Sequence, residues 1–66
     1  MHSIHTKMVA TINGVNRIFT LLKSTESKTL YEVECLGMVW YEIHFTSHNR
    51  INREYNYLKA LKKWNN

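Results

Sequence analysis

The sequence predicts an α+β domain: a four-stranded antiparallel meander, at about 4–12, 15–23, 29–36 and 38–46, with one C-terminal amphipathic helix, at about 48–64, packed on one face. Three observations predict it. Apolar residues alternate with polar ones through the first two thirds of the chain, which is the period of a strand. Asn13-Gly14 interrupts that alternation with the strongest short hairpin signal, since a type I′ turn needs two residues that tolerate positive φ. The last third changes to a helical period and carries the whole net positive charge.

The first strand places Ile4, Thr6, Met8, Ala10 and Ile12 on one side, with His5, Lys7, Val9 and Thr11 on the other. A two-residue turn at Asn13-Gly14 sets the pairing of the next strand. Ile12 faces Val15, Ala10 faces Arg17, Met8 faces Phe19 and Thr6 faces Leu21. The inward face of that strand is Val15, Phe19 and Leu21, with Arg17 an awkward member. "STESK" is polar and forms the next connection. "TLYEVEC" separates Tyr31, Val33 and Cys35 from Leu30, Glu32 and Glu34. "VWYEIHF" separates Val39, Tyr41, Ile43 and Phe45 from Trp40, Glu42 and His44. A three-residue loop through Met38 pairs Cys35 with Val39 and keeps the two apolar sets on one face. A two-residue Leu36-Gly37 turn pairs Cys35 with Met38 and turns the fourth strand's apolar set outward, so the longer loop is preferred. A continuous strand bent by a bulge at Gly37 is the alternative. In the last segment Thr46, Ser47 and Asn49 offer N-cap oxygens. Ile51, Tyr55, Leu58 and Leu61 gather on one helix face.

Sixty-six residues make a single domain, 1–66, with a small core. Cys35 is the only cysteine, so no internal disulfide can form, and a reducing compartment is expected. Neither a signal peptide nor a membrane-length apolar run is present, which predicts a soluble cytoplasmic protein with no membrane partner. Met8 is a second candidate start, so residues 1–7 are the least constrained part of the domain.

The formal net charge is +4, and all of it lies in the C-terminal segment. There Arg50, Arg53, Lys59, Lys62 and Lys63 stand against Glu54 alone. Arg, Lys and Asn side chains reach phosphate oxygens and base edges. The expected nucleic-acid-binding set is therefore Arg50, Asn52, Arg53, Asn56, Lys59, Lys62 and Lys63, on the wet side of the helix. Lysines near a helix C-terminus also favour the macrodipole, so a solvated basic face is the plain alternative.

The sheet face away from the helix is expected to collect Val9, Ile18, Leu22, Leu30 and Trp40 among His5, Lys7, Glu32, Glu34, Glu42 and His44. Exposed apolar patches mark interfaces, and three carboxylates suit a phosphate poorly. Ile18, Leu22, Leu30 and Trp40 are therefore the candidate protein interface, for a partner or for a second copy of the chain. His2, His5, His44, His48 and Cys35 are zinc-type ligands, but their spacing fixes no site and Cys35 is expected to point inward. No aspartate is present, Gly14 and Gly37 are the only glycines, and no phosphate loop exists. A Cys35–His44 nucleophile pair is the one catalytic arrangement imaginable, and a buried cysteine is usually packing. No catalytic residue, metal, cofactor or small-molecule substrate is expected.

The aromatic strand "VWYEIHFTS" running into an amphipathic helix resembles the small sheet-plus-helix DNA-binding domains of the plant AP2 class and the arm-binding domains of phage-type integrases. The resemblance covers the last third and is architectural. Those families read DNA with basic and aromatic residues on the free face of the sheet. Here that face is expected to carry Glu32, Glu34 and Glu42, so no site residue is carried across. The small Asn- and Lys-rich chain also resembles accessory proteins of bacteriophages and mobile elements, many of which inhibit or redirect a host factor. The function expected is a small non-enzymatic regulator binding nucleic acid through the C-terminal helix, or else a protein-binding inhibitor or adaptor acting through the sheet.

Overall fold

The computed structural model describes residues 6–66. It contains an antiparallel sheet and one C-terminal helix: β1 (Lys7–Ile12), β2 (Val15–Ser24), β3 (Lys28–Cys35), β4 (Met38–Phe45), β5 (Ile51–Glu54) and α1 (Tyr57–Trp64). The strands lie in chain order, each antiparallel to the last. The sheet thus has five strands rather than four. The expected start of the first strand at Ile4 and His5, and the ligand candidate His2, lie outside the described residues.

The first hairpin follows the sequence logic. Ile12 pairs with Val15, Ala10 with Arg17 and Met8 with Phe19, and the Leu21 amide donates to Thr6 O at 3.0 Å. Asn13 and Gly14 both have positive φ, at 54° and 79°, as a type I′ turn requires. In the polar connection Thr25 Oγ1 accepts from the Ser27 and Lys28 amides at 3.3 and 3.2 Å, a side-chain substitute for a backbone turn.

The second hairpin departs from expectation. Cys35 pairs with Met38 across a two-residue Leu36-Gly37 turn, with φ of 52° and 78°. Such turns match the right-handed twist of paired strands, and that match outweighs the strain on an exposed Leu36. The one-residue difference exchanges the faces of β4 relative to β3. Leu30, Glu32 and Glu34 now share a face with Ile43, Tyr41 and Val39. Tyr31, Val33 and Cys35 share the other with Glu42, Trp40 and Met38.

The last segment also departs from expectation. A single 3-10 turn at Ser47–Asn49 brings the chain back beside β4, with the Phe45 amide donating to Arg50 O at 2.8 Å. Ile51 to Glu54 then pair with His44 to Tyr41. Exposed edge amides and carbonyls of β4 are satisfied by this pairing, which a helix over the same residues would leave unmet. The helix starts only at Tyr57. Asn56 is its N-cap, with Oδ1 accepting from the Lys59 amide at 3.1 Å.

The helix covers the Leu30–Ile43 face. Leu30 and Ile43 are fully buried against Ala60, with Leu22, Tyr41, Phe45, Leu61 and Trp64 around them. Ala60, Leu61 and Trp64 form the packed stripe, with half-exposed Tyr57 leaning on Tyr41 at its start. Leu58, expected inward, is 73% exposed. A register shift between Leu21 and Lys23 leaves Leu22 unmatched and lets it join this core. The face with the most apolar alternation in β1 and β2 is therefore the open one.

Candidate nucleic-acid interface

The expected basic helix face divides among three elements. Arg50 sits in the connection to β5, its guanidinium carbon 4.7 Å from the centroid of the Phe45 ring. Asn52 and Arg53 are on β5 and point to opposite faces, since neighbouring strand residues alternate. Asn56 is committed to the helix cap. Only Lys59, Lys62 and Lys63 are helical. The helix has eight residues, about 12 Å long, against roughly 25 Å for the expected element. Lys59 and Lys62 are exposed with no acidic partner among the described residues, whereas Lys63 Nζ lies 2.5 Å from Glu54 Oε2.

The expected apolar interface divides as well. Leu30 is in the core under the helix, with Leu22 packed against it, and Ile18 is half-buried on the same face. Trp40 lies on the opposite, open face and is 5% exposed. The β3–β4 register separates them, so they do not form one exposed patch.

The open face is built around Trp40. Val33 pairs across with Phe19 on β2 and Trp40 on β4, and these two large rings roof it to full burial. Arg17 and Arg53 then flank Trp40, with guanidinium carbons 5.6 and 4.6 Å from its centroid. Guanidinium groups so placed are held by the ring quadrupole. Tyr55 stands 6.3 Å from Trp40 and is mostly exposed.

Glu42 organises this cluster. It is the one buried charged residue among those described, at 3% exposure. Trp40 Nε1 donates to Oε2 at 2.6 Å, Arg53 donates to the same oxygen at 3.1 Å, and His44 Nε2 lies 2.8 Å from Oε1. Burial pushes the Glu42 carboxyl up, but the hydrogen bonds from Trp40 and His44 and the Arg53 charge outweigh it and hold it below the usual range. Beside it, the Tyr55 hydroxyl and then the Glu42 carboxylate hold the Arg53 guanidinium firmly protonated against partial burial.

The distribution of charge thus differs from the expected one. Glu32 and Glu34 pair with Tyr41 and Val39 on the helix side. The open face carries Glu42 alone, already neutralised, beside Arg17, Arg53 and His44. Phe19, Tyr31 and His44 form a perpendicular ring cluster, with centroids 5.6 Å apart for Phe19–Tyr31, 6.2 Å for Phe19–His44 and 4.9 Å for Tyr31–His44. These rings, with Met8, Val9 and Ala10, line an open, mainly apolar pocket of about 280 Å³. The sequence hinted at this surface in one place: Arg17 on an otherwise apolar strand face, which fits a face left open to water better than one under a helix.

Among the described residues no three His, Cys, Asp or Glu side chains group as a metal site. No described helix is long and apolar enough to cross a membrane. Comparison with protein-family models, with curated proteins and with solved structures finds no match to this chain.

Proposed function

We propose that this chain is a small non-enzymatic regulator that binds nucleic acid, acting in the cytoplasm, with the C-terminal segment taking the phosphates. The observation that supports this reading best is the state of its cations. Lys59 and Lys62 project into water without a carboxylate, and Arg50 and Arg53 are held over aromatic rings with their outer edges accessible. Lys63 shares its charge with Glu54 and Arg53 with Glu42, so both contribute less. Asn52 on β5 is half-buried on the helix side, beside buried Ile43, and contributes less, while Asn56 is spent on the helix cap.

Phosphate neutralisation releases counterions, so affinity falls with salt. With about four phosphates engaged, the log–log slope is near −4. Fluorescence anisotropy with labelled DNA and RNA at about 50 and 200 mM salt tests this. The combined Lys59→Ala and Lys62→Ala substitutions reduce the slope by about 2. A salt-independent affinity sinks the reading.

A protein-binding inhibitor or adaptor is the second reading. It is favoured by Tyr57 and Leu58, which are 44 and 73% exposed in the first turn of the helix. That surface replaces the expected Ile18–Leu22–Leu30–Trp40 patch, half of which is buried. Leu58→Asp would abolish capture of such a partner and leave nucleic-acid binding largely intact.

A further inference from the structure

We infer that the open face of the sheet is a platform for single-stranded nucleic acid, with one base seated in the pocket lined by Phe19, Tyr31 and His44. The inference rests on the nucleic-acid reading above and assigns it a substrate class.

The rings come first. Three of them line a pocket of about 280 Å³, just under the range of about 300–1,000 Å³ for ordinary small-molecule sites. The opening is shallow and apolar, which suits a planar base. Only an unpaired base can enter it, because a duplex keeps its bases inside the stack. Exposed Tyr55, beside Trp40 on the same face, offers a second ring further along the strand path.

Charge complementarity points the same way. The open face carries Arg17 and Arg53 against Glu42. Both oxygens of Glu42 are already engaged by Trp40, Arg53 and His44, so no free carboxylate on this face repels a backbone. Arg17 and Arg53 are braced against Trp40. Bracing fixes their guanidinium groups before binding and lessens the entropy lost on contact. Basic groups that follow the backbone, interleaved with rings that stack bases, are the ingredients of sequence-tolerant single-strand binding.

The test is anisotropy with labelled oligodeoxythymidylate of about twelve nucleotides, the matching oligouridylate and a duplex of the same length. Both single strands are expected to bind more tightly than the duplex. Tyr31→Leu keeps apolar bulk and removes the stacking ring. It weakens that binding by about ten- to a hundredfold, the size of one lost stacked base. Met8→Glu places a carboxylate at the exposed rim, where Met8 is 45% exposed; folding is spared, and single-strand binding falls at least as far. Circular dichroism confirms the fold of each variant. Wild-type affinity in Met8→Glu, or a preference for the duplex, overturns the inference. If binding then still depends on Lys59 and Lys62, the nucleic-acid reading stands without it. Absence of binding to all three probes at low salt overturns both.

Discussion

Replacing Glu42 gives the sharpest test of how the open face is held together. The carboxylate is 3% exposed and meets a buried indole N–H, a guanidinium and an imidazole. Glu42→Gln keeps the shape and one carbonyl oxygen for Trp40, and its amide can donate to His44. What it loses is the charge. Hydrogen bonds to charged groups contribute about 1.5–3 kcal/mol, neutral ones about 1. Arg53 is 40% exposed at its side chain, so its ion pair adds only a fraction of a kcal/mol. The expected loss is therefore about 1–2 kcal/mol. Glu42→Ala also strands the Trp40 N–H and opens a cavity, for about 3–5 kcal/mol. A domain of this size has roughly 3–10 kcal/mol in total and loses about 4–8 °C of Tm per kcal/mol. Thermal melts at pH 7 should show Glu42→Gln lower by about 5–15 °C, with Glu42→Ala close to unfolded at room temperature. The pH dependence supplies the sign. Because the folded-state pKa of Glu42 lies below its unfolded value, its stabilisation is complete above the ordinary carboxylate range. It disappears as pH falls through the depressed value. Glu42→Gln removes that part of the acid transition. A Gln variant that melts with the wild type at pH 7 and follows the same acid curve would refute this account of the cluster.

Other outcomes follow from the two corrected elements. Leu58→Lys should change stability by less than about 0.5 kcal/mol, while Leu61→Lys should cost several times more because it enters the packed stripe; urea melts of both check the helix phase. If the two variants are equally destabilised, the helix is rotated from the position described. Leu36→Asn should stabilise the domain by about 0.5–1 kcal/mol, since Asn tolerates the positive φ that strains Leu. A lower Tm for that variant would favour a longer loop. The salt slope of nucleic-acid binding and its reduction by Lys59→Ala with Lys62→Ala complete the set.

Local chemistry was enough for the first hairpin, the polar connection and the presence of a C-terminal helix. Asn13-Gly14 admits one turn geometry, and strand alternation on either side then fixes every pair from Ile12–Val15 to Met8–Phe19. The register of β3 against β4 was not local. Both strands are central, and each carries a large apolar residue on its more polar face as well, Leu30 beside Glu32 and Glu34 and Trp40 beside Glu42 and His44, so alternation alone does not select the register. Turn geometry and the helix covering Leu30 and Ile43 made the choice. The stretch from Ile51 to Glu54 was equally ambiguous. Ile51, Tyr55, Leu58 and Leu61 match a helical period, yet the free edge of β4 needs hydrogen-bond partners, and the chain turns back in time to provide them.

The candidate site divides along the same line. The sequence by itself determined the net charge, its concentration after Arg50, and the supply of rings in "VWYEIHF". Which face those groups occupy was a tertiary decision. A one-residue change of register moved Glu32 and Glu34 to the helix side and left Glu42 alone on the open face, where Trp40, His44 and Arg53 could neutralise it. The physical reason is that a strand's two faces differ by one residue, while the contacts that select between them come from residues distant in the chain.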